Sequence, residues 1–499
     1  MAEKGQQGVK YEQVGDEYFQ KRKLRRYAGV LSLWALGVGA VISGQFSGWN
    51  YGLAFGWGSM FAATVVISIM YLGLTYSIAE MATALPHTGG AYSFARSAMG
   101  PWGGFITGVA ENIEYVLTPA VVVFFIGSYM GAILETPPEF QPVYWILGYG
   151  IFVAANLFGV ELSFRVTVFV TLVALACLVF FYIAALPQMD FARWAMNVGA
   201  GPDGALVEVP EGNGPWFPAG VHGVLAALPF AVWLYLAIEQ LPLASEESID
   251  PKRDMPSGIL FGIFTLMASA FAVLLLNSSI SPGAWGLRAS GEPLLEGFRT
   301  LFGTDWAKIL ALVAIAGLVA SFHAIIFAFG RQIYSLSRAG YFPRFLSVTH
   351  GTHNTPHVAL IAGALVGLAV MLFIWYVYGA EKGGAFIGGA LLNMAVFGAM
   401  ISYVLQAVSF IMLRVRLPNI ERPYRSPFGI LGAALTLIIA LVTIYFQVTD
   451  AAFRDPVLGV AIYYAIMIVY FAAFGRTQLV LSPEEEFAMS HGKTDYKTH

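Results

Sequence analysis

Three glutamates lie inside long apolar stretches of this sequence: Glu111, Glu114 and Glu239. An ionised carboxylate in apolar surroundings is costly, so each must hold a proton, face a hydrated cavity or be matched by a cation that the chain does not supply. Glu111 and Glu114 are three residues apart, which places both on one helix face with β-carbons roughly 5–6 Å apart. Two carboxylates that close do not both ionise cheaply. The spacing predicts either a held proton or a preference for a bound cation.

A packing role is the competing interpretation for these side chains. A protonated glutamate that hydrogen-bonds between helices would also explain Glu111 or Glu114, and this alternative stays open at the level of the sequence. Glu80 differs because it lies near one end of its apolar stretch.

The composition requires lipid as the solvent for most of the chain. The 499 residues are 58% hydrophobic and only 11% charged, with a mean hydropathy of +0.68, whereas soluble domains carry roughly a quarter charged residues. The single cysteine, Cys177, is interpreted as a buried small apolar residue. We find no cysteine and histidine array, no nucleophile with its base and no repeated filter sequence. An enzyme, a metal site, a cofactor and a nucleic-acid partner are therefore not expected.

Twelve apolar segments are long enough to cross a bilayer, which takes about 20 residues. They are numbered here as spans 1 to 12: 30–55, 58–84, 102–133, 142–160, 164–187, 222–244, 257–281, 306–330, 357–379, 385–413, 428–449 and 456–475. We expect one all-helical transmembrane domain over 28–475, flanked by tails at 1–27 and 476–499.

The positive charges predict the orientation of these spans. With the N-terminus inside the cell, most Lys and Arg fall on the cytoplasmic side: the run 21–26, the loop bearing Arg331, Arg338 and Arg344, and the loop around 414–425. We expect a multi-pass plasma (inner) membrane protein with both termini cytoplasmic. A lipid- or nucleic-acid-binding role for the run 21–26 is the less favoured alternative.

Two spans carry residues that interrupt helices. Span 1 has four glycines and two serines within 36–48, and span 6 has Pro229 within 228–233. Irregular backbone in a membrane is tolerated only beside a cavity or other protein. Breaks five spans apart are typical of transporters built from two inverted repeats of five helices, with the substrate between the breaks. Packing through small residues alone is the alternative for span 1.

The chain resembles the amino acid, polyamine and organocation transporter (APC) superfamily over about 28–475. The motifs that carry the resemblance are 36–48, 79–81, 85–92, Glu239 with 246–256, and 335–343. Within that superfamily it is most similar to ethanolamine permeases, through 41–50, 100–105, 113–115 and 228–233. The resemblance implies a LeuT-like 5+5 inverted repeat with broken spans 1 and 6, two additional helices, and uptake of a small amine.

The resemblance also implies roles for individual residues. Glu114 falls where relatives with basic substrates contact the distal charge, and Trp233 falls where relatives place an aromatic lid. Glu239 has a counterpart in transporters of other substrates, which favours a structural or gating role. Phe46 and Tyr235 lie in or beside the breaks, where aromatic faces attract an ammonium group.

Broken helices supply carbonyl ends that suit cations and amide ends that suit a hydroxyl. We expect Ser43, Gly44 and Gln45 to meet the hydroxyl of ethanolamine through their amides. The sequence thus predicts an importer of a small organic amine that works by alternating access. An amino acid or polyamine transporter of the same fold, or a channel-like facilitator, is the alternative.

The coupling ion is predicted to be a proton. Related sodium sites use adjacent hydroxyl residues on span 8, whereas this chain has Ser321 followed by Phe322 and His323, so sodium stays the less favoured alternative. Some proton-coupled relatives carry a lysine in span 5 where this chain has Ala174, so that mechanism is in doubt. Glu111 or His323 is the candidate proton carrier, although a lone histidine in a span is usually a packing residue.

Overall fold

The computed structural model describes residues 6–12, 14, 17–18, 21, 26–85, 89–158, 160–482 and 485–486, with the backbone alone at 6, 160–162 and 380–382. Several positions used in the sequence analysis lie outside the described residues, namely Arg22, Lys23, Arg25, 86–88, Gly159 and 487–499.

The described chain is mainly helical and spans a membrane many times. Ten of its helices are long and apolar enough to cross a bilayer, and a bent pair in span 1 makes an eleventh. The segments that correspond to the twelve predicted spans run Val30–Phe46 with Trp49–Phe55, Trp57–Ala84, Ala91–Leu134, Gln141–Leu157, Val160–Ala185, Gly220–Glu247, Pro251–Ser278, Thr304–Arg338, His357–Gly379, Gly383–Arg416, Gly429–Thr449 and Arg454–Ala473. Gln141–Leu157, which is span 4, is the segment that those eleven do not include. The predicted fold class, a polytopic all-helical membrane protein, is confirmed.

The outer faces of the helix bundle carry apolar side chains that do not pack against other parts of the described chain. Phe169 and Ile183 in span 5 and Leu431 in span 11 are each 68% exposed. Such side chains are stable only against lipid tails. Span 4 is the shortest segment, with 17 residues or about 25 Å of helix, which is at the lower limit for crossing the hydrocarbon core.

Span 8 extends further than predicted, and this changes the place of two arginines. The helix continues through Arg338 instead of ending near residue 330. Arg331 and Arg338 were predicted in a loop, but the structure buries both in the helix, at 1% and 4% exposure. Buried carboxylates hold them there, as described below.

Span 1 is broken later than its glycine content predicts. The helical backbone persists to Phe46, and the chain leaves it at Ser47 (φ −160°, ψ 160°) and Gly48 (φ 93°). The two halves meet at an angle of 42°. Gly48 is required for two reasons: its φ is in the left-handed region, and a β-carbon there would lie 2.6 Å from Nε1 of Trp233.

Span 6 is also broken, but not at its proline. Pro229 lies inside the helix Gly220–Trp233, and the break comes at 234–237, where Ala237 has a φ of 82°. A 3₁₀ helix, Ile238–Glu247, follows. Pro229 as the break was therefore a wrong prediction. Its neighbour Leu228 is 1% exposed, so this part of the helix is surrounded by protein, where the loss of one backbone hydrogen bond to a proline is tolerated.

Short elements connect the spans and bring the two tails together. The strands are β1 (Tyr11–Glu12), β2 (Val198–Ala200), β3 (Leu206–Glu208) and β4 (Leu479–Val480), with β2 antiparallel to β3 and β1 parallel to β4. The short helices are Gln6–Gly8, Pro138–Phe140, Leu186–Gln188, Phe191–Ala195, Gly283–Leu287, Pro293–Phe302, Arg344–Ser347 and Gly475–Thr477. The end of the molecule that carries β1 and β4 is called the tail-side end.

Candidate functional site

The predicted site residues all lie inside the protein. Each of them is buried, with no more than 2% exposure for the eight that carry side chains beyond Cα: Ser43, Gln45, Phe46, Glu111, Glu114, Trp233, Tyr235 and Glu239. Gly44 is buried as well. The structure therefore shows these residues closed to solvent.

The breaks of spans 1 and 6 touch directly. Nε2 of Gln45 donates to the carbonyl of Leu234 at 3.1 Å. A β-carbon on Gly44 would lie 2.5 Å from the carbonyl oxygen of Trp233, so only glycine lets the two backbones approach this closely. Gly44 and Gln45 thus lie directly against the span 6 break.

Ser43 and Phe46 contact span 8. The Ser43 hydroxyl donates to Oγ of Ser321 at 2.8 Å, and Ser321 donates to the carbonyl of Ala40. The Phe46 ring fills the space beside Gly317, where a β-carbon would lie 2.2 Å from the ring. These two side chains anchor the break to span 8 in this conformation.

Trp233 bridges the two breaks. Its Nε1 donates to the carbonyl of Ser47 at 2.9 Å, and its ring centroid lies 6.4 Å from that of Phe125 in span 3. The indole thus satisfies a carbonyl that the broken helix of span 1 leaves without a helical partner.

Glu114 and Glu239 bring their carboxyl groups together from spans 3 and 6. They are close enough for a hydrogen bond if one of them carries a proton. Among the described residues, no donor meets hydrogen-bond geometry with any of their four carboxylate oxygens, although the hydroxyl of Tyr403 and the backbone of Ala237 lie near the carboxyl group of Glu239. Such buried, unpartnered acceptors are costly, and they imply a proton or a cation that is not part of the chain.

Tyrosines surround this glutamate pair. Tyr71 in span 2 and Tyr403 in span 10 hydrogen-bond through their hydroxyls at 3.0 Å, and Tyr403 stands beside both carboxyl groups. Tyr235, in the span 6 break, hydrogen-bonds Ser68 at 2.9 Å and lies 5.3 Å from Tyr71 between ring centroids. The sequence analysis missed Tyr71 and Tyr403, because no local pattern brings spans 2, 6 and 10 together.

Glu111 lies one turn away from the pair in a different environment. The hydroxyl of Tyr115, four residues along the same helix, donates to its Oε1 at 3.0 Å, while Oε2 has no partner among the described residues. Glu111 is thus partly satisfied within its own helix, whereas Glu114 is not.

His323 is fully engaged by span 4 and span 5. Nδ2 of Asn156 lies 3.0 Å from its Nδ1, and the Ser163 hydroxyl lies 3.0 Å from its Nε2. Since the amide can only donate, Nδ1 accepts and Nε2 carries the hydrogen. Both ring nitrogens are satisfied, which supports the packing interpretation. Ala174 in span 5 is buried, and nearby Thr171 donates to the carbonyl of Ala35 in span 1 at 3.1 Å.

Buried ion pairs join span 6 to span 8 at the tail-side end. Arg331 pairs with Glu247 at 2.8 Å, and both side chains are no more than 1% exposed. Arg338 pairs with Glu246 at 2.7 Å. The sequence shows these charges but not their pairing, since a contact between residues 84 or 92 positions apart leaves no local pattern.

Glu80 is also held in a buried ion pair that joins two parts of the chain. Its carboxylate pairs with Arg422 at 3.0 Å and with Arg414, and accepts the amide of Ser426 at 2.8 Å. Arg414 lies at the end of span 10, and Arg422 and Ser426 lie in the segment that follows it, so Glu80 attaches this region to span 2.

Nearly the whole transmembrane region of the chain matches a single protein family. The amino acid permease family matches residues 29–474. An uncharacterised transporter of Rhizobium meliloti (strain 1021) is 27% identical, over 85% of this chain and 87% of its own. A branched-chain amino acid permease of Bacillus subtilis (strain 168) is 24% identical, over 82% and 85%. A methylthioribose transporter of the same organism is 23% identical, over 82% and 86%.

Proposed function

Since this chain belongs to the amino acid permease family, we propose that it is a secondary active transporter that imports a small organic amine, with ethanolamine as the substrate. The observation that carries the proposal is the pair Glu114 and Glu239, whose four buried oxygens lack a hydrogen-bond donor among the described residues. An ammonium group supplies both the missing charge and the missing donors.

The surroundings of the pair suit such a cation. Tyr71 and Tyr403 lie near both carboxyl groups, and the ring of Tyr235 lies 5.3 Å from that of Tyr71. Aromatic faces attract desolvated ammonium groups by roughly 2 kcal/mol. In this proposal the ammonium binds Glu114, and the substrate hydroxyl meets the backbone of Ser43, Gly44 and Gln45 in the span 1 break. Phe46 closes the site on the side of span 8, and Trp233 closes it on the side of span 3.

Transport by alternating access requires both ends to open in turn. In the proposal, Trp233 releases the carbonyl of Ser47 on one side, and the pairs Arg331–Glu247 and Arg338–Glu246 separate on the other. Glu239 links these two events, because it lies between the break and Glu246. The coupling ion is a proton held by the glutamates, and the protein lies in the plasma (inner) membrane with the tail-side end in the cytoplasm.

An amino acid transporter is the second candidate, and the similarity to a branched-chain amino acid permease favours it. A zwitterionic substrate needs an anion site besides the cation site. The amides of the span 1 break would supply it, in the place where ethanolamine offers a hydroxyl. The two candidates therefore differ in one substrate group at one location.

Competition of radiolabelled ethanolamine uptake in proteoliposomes distinguishes them. Unlabelled ethanolamine, choline, putrescine, arginine and alanine are added in excess, with protein-free liposomes as the control. We expect ethanolamine to compete and alanine to have no effect. Uptake of labelled alanine that ethanolamine does not inhibit would instead establish the amino acid transporter.

A further inference from the structure

The two tails of the chain meet in a small parallel sheet. Tyr11 pairs with Leu479 and Glu12 pairs with Val480. The amide of Val480 also donates to the carbonyl of Ala339, just after span 8, at 2.9 Å. We call β1, β4 and Glu485 together the tail clasp.

Glu485 is the centre of the clasp. Its side chain is fully buried, and its carboxylate accepts hydrogen bonds from the hydroxyls of Tyr11 at 2.7 Å, Tyr341 at 2.9 Å and Tyr92 at 3.0 Å. Nε of Arg96, itself 2% exposed, donates at 2.5 Å. A buried carboxylate is stable only where charge and hydrogen bonds are both matched, and this one is matched by four donors.

These donors form a pocket built for a carboxylate. Burial, reinforced by the neighbouring Glu485, raises the pKa of Tyr11 and of Tyr341, so both hydroxyls stay protonated and donate. Tyr92 and Arg96 come from the start of the long helix of span 3, and Tyr341 follows span 8. The ligand of this pocket is a residue of the C-terminal tail of the same chain.

The N-terminal tail connects the clasp to spans 6 and 8 at the tail-side end. Its described residues contact span 8 through Tyr18, whose hydroxyl donates to the carbonyl of Arg338 at 2.9 Å. Further along, the amides of Tyr27 and Ala28 donate to the carbonyl of Glu247 at 2.8 and 2.9 Å. Glu247 is the partner of Arg331 in span 8, so the tail lies across the ion pairs that close this end.

We propose that the pocket of Arg96, Tyr92 and Tyr341 is a receptor for Glu485 of the chain's own C-terminal tail, and that its occupation holds the tail-side end of the transporter closed. Separating span 6 from span 8 requires the N-terminal tail to leave one of them, and the clasp fixes that tail at Tyr11. Release of Glu485 is then a regulatory step. This inference rests on the proposed transport function but not on the identity of the substrate.

A labelling experiment tests the clasp without any substrate. In a Cys177→Ser background, Ser245→Cys places a thiol at a position that is 1% exposed, next to Glu246. We expect Glu485→Gln to increase the rate of reaction with a water-soluble maleimide about tenfold, within the usual range of coupling between sites. The matched control is Glu486→Gln, since Glu486 is exposed and its change should leave the rate unaltered. Equal rates for all three proteins would overturn the proposal.

A truncated protein provides a second test, which is needed if Glu485→Gln folds poorly because Arg96 loses its partner. Ending the chain after Thr477 removes β4 and Glu485 together, and we expect fast labelling. A synthetic peptide of residues 478–486 should slow the reaction again, whereas the same peptide with Glu485→Gln should not. A folded truncated protein that labels as slowly as the full chain, with no effect of either peptide, contradicts the inference.

Uptake measurements separate this inference from the proposed substrate. Truncation and Glu485→Gln should change the initial rate of ethanolamine uptake, and Glu486→Gln should not. If no protein, including the unmodified chain, takes up ethanolamine, the substrate is wrong while the labelling result still decides the clasp. Normal uptake kinetics together with unchanged labelling in both clasp variants would reject the clasp alone.

Discussion

At the scale of single residues, Glu114 and Glu111 show how one helix face presents two different carboxyl groups. The spacing of three residues predicted their shared face, but only the fold distinguishes them: Tyr115 satisfies Glu111, and Glu239 approaches Glu114. Sequence spacing reveals neighbours within a helix, whereas Glu239, Tyr71 and Tyr403 come from other spans. The candidate site was therefore predictable in its acidic residues and not in its tyrosines.

The first prediction is that Glu114→Gln abolishes amine binding and leaves the protein folded. The substitution preserves size and hydrogen-bonding capacity but removes the charge, so loss of a desolvated ion pair should cost about 2–5 kcal/mol, or roughly 30-fold to several thousand-fold in affinity. Stability should be unchanged or higher, because a buried carboxylate without a donor is removed. Binding to purified protein by calorimetry and thermal unfolding measure the two effects.

Glu111→Gln is the matched control for that variant. It should weaken binding less and mainly change the pH dependence of uptake, since Tyr115 already donates to Glu111. A Glu114→Gln protein with near-normal affinity for ethanolamine would show that aromatic faces and carbonyl groups hold the ammonium, and that Glu114 only packs between helices.

The second prediction concerns Glu292, in the connection between spans 7 and 8. Burial, reinforced by Glu296 and opposed by Arg299, raises its pKa to about 7 from the ordinary 4.5. The folded state therefore binds this proton more tightly than the unfolded state does, and its contribution to stability is lost as the pH rises from 4.5 to about 7. We expect the melting temperature to fall across that window.

Replacing the carboxyl group tests this assignment. Glu292→Gln should flatten the dependence of the melting temperature on pH between 4.5 and 7, whereas Glu211→Gln, at an exposed position, should leave it as in the unmodified protein. An unchanged slope in Glu292→Gln would assign the titration to another group.

At the scale of elements, the residues within a span predict that its helix is broken, but they do not predict where the break lies. Span 1 is rich in glycine from residue 37 onward, yet the helix ends only at Ser47 and Gly48, where Trp233 occupies the space that a side chain would need. In span 6 the proline stays helical and Ala237 takes the left-handed conformation instead. The existence of both breaks was predictable, but their positions are decided by contacts between the two spans.

The third prediction is that Gly48→Ala destabilises the protein and prevents transport. A left-handed φ for alanine costs roughly 1–2 kcal/mol, and overpacking against Trp233 adds roughly 1–3 kcal/mol. The control is Gly150→Ala in span 4, where no atom lies within 4 Å of the added β-carbon, so stability should be unchanged or slightly raised. Thermal unfolding in detergent, with uptake in proteoliposomes, compares the two variants. Normal stability and uptake for Gly48→Ala would mean that the break does not depend on this glycine.

At the scale of the whole molecule, several of the arginines that predict the orientation of the spans in the membrane also stabilise the fold. Arg331 and Arg338 are buried against Glu247 and Glu246, and Glu485 of the C-terminal tail is buried against Arg96. The number and order of spans follow from apolar length, which is a local property of the sequence. The partners of these charges lie tens to hundreds of residues away, so the sequence alone could not predict them.

The last prediction concerns the driving force, which involves both breaks and the glutamates at once. In sodium-free buffer, an imposed pH gradient, acidic outside, should increase the initial rate of uptake, because in the proposal one carboxyl group of the pair Glu114 and Glu239 carries a proton inward while the other binds the amine. A sodium gradient alone should have no effect, since the hydroxyl groups of Ser43 and Ser321 are already hydrogen-bonded to each other and to the carbonyl of Ala40. Ser321→Ala is the control and should retain uptake driven by the pH gradient. Uptake that requires sodium and is lost in Ser321→Ala would exclude the proton and place the coupling ion between spans 1 and 8.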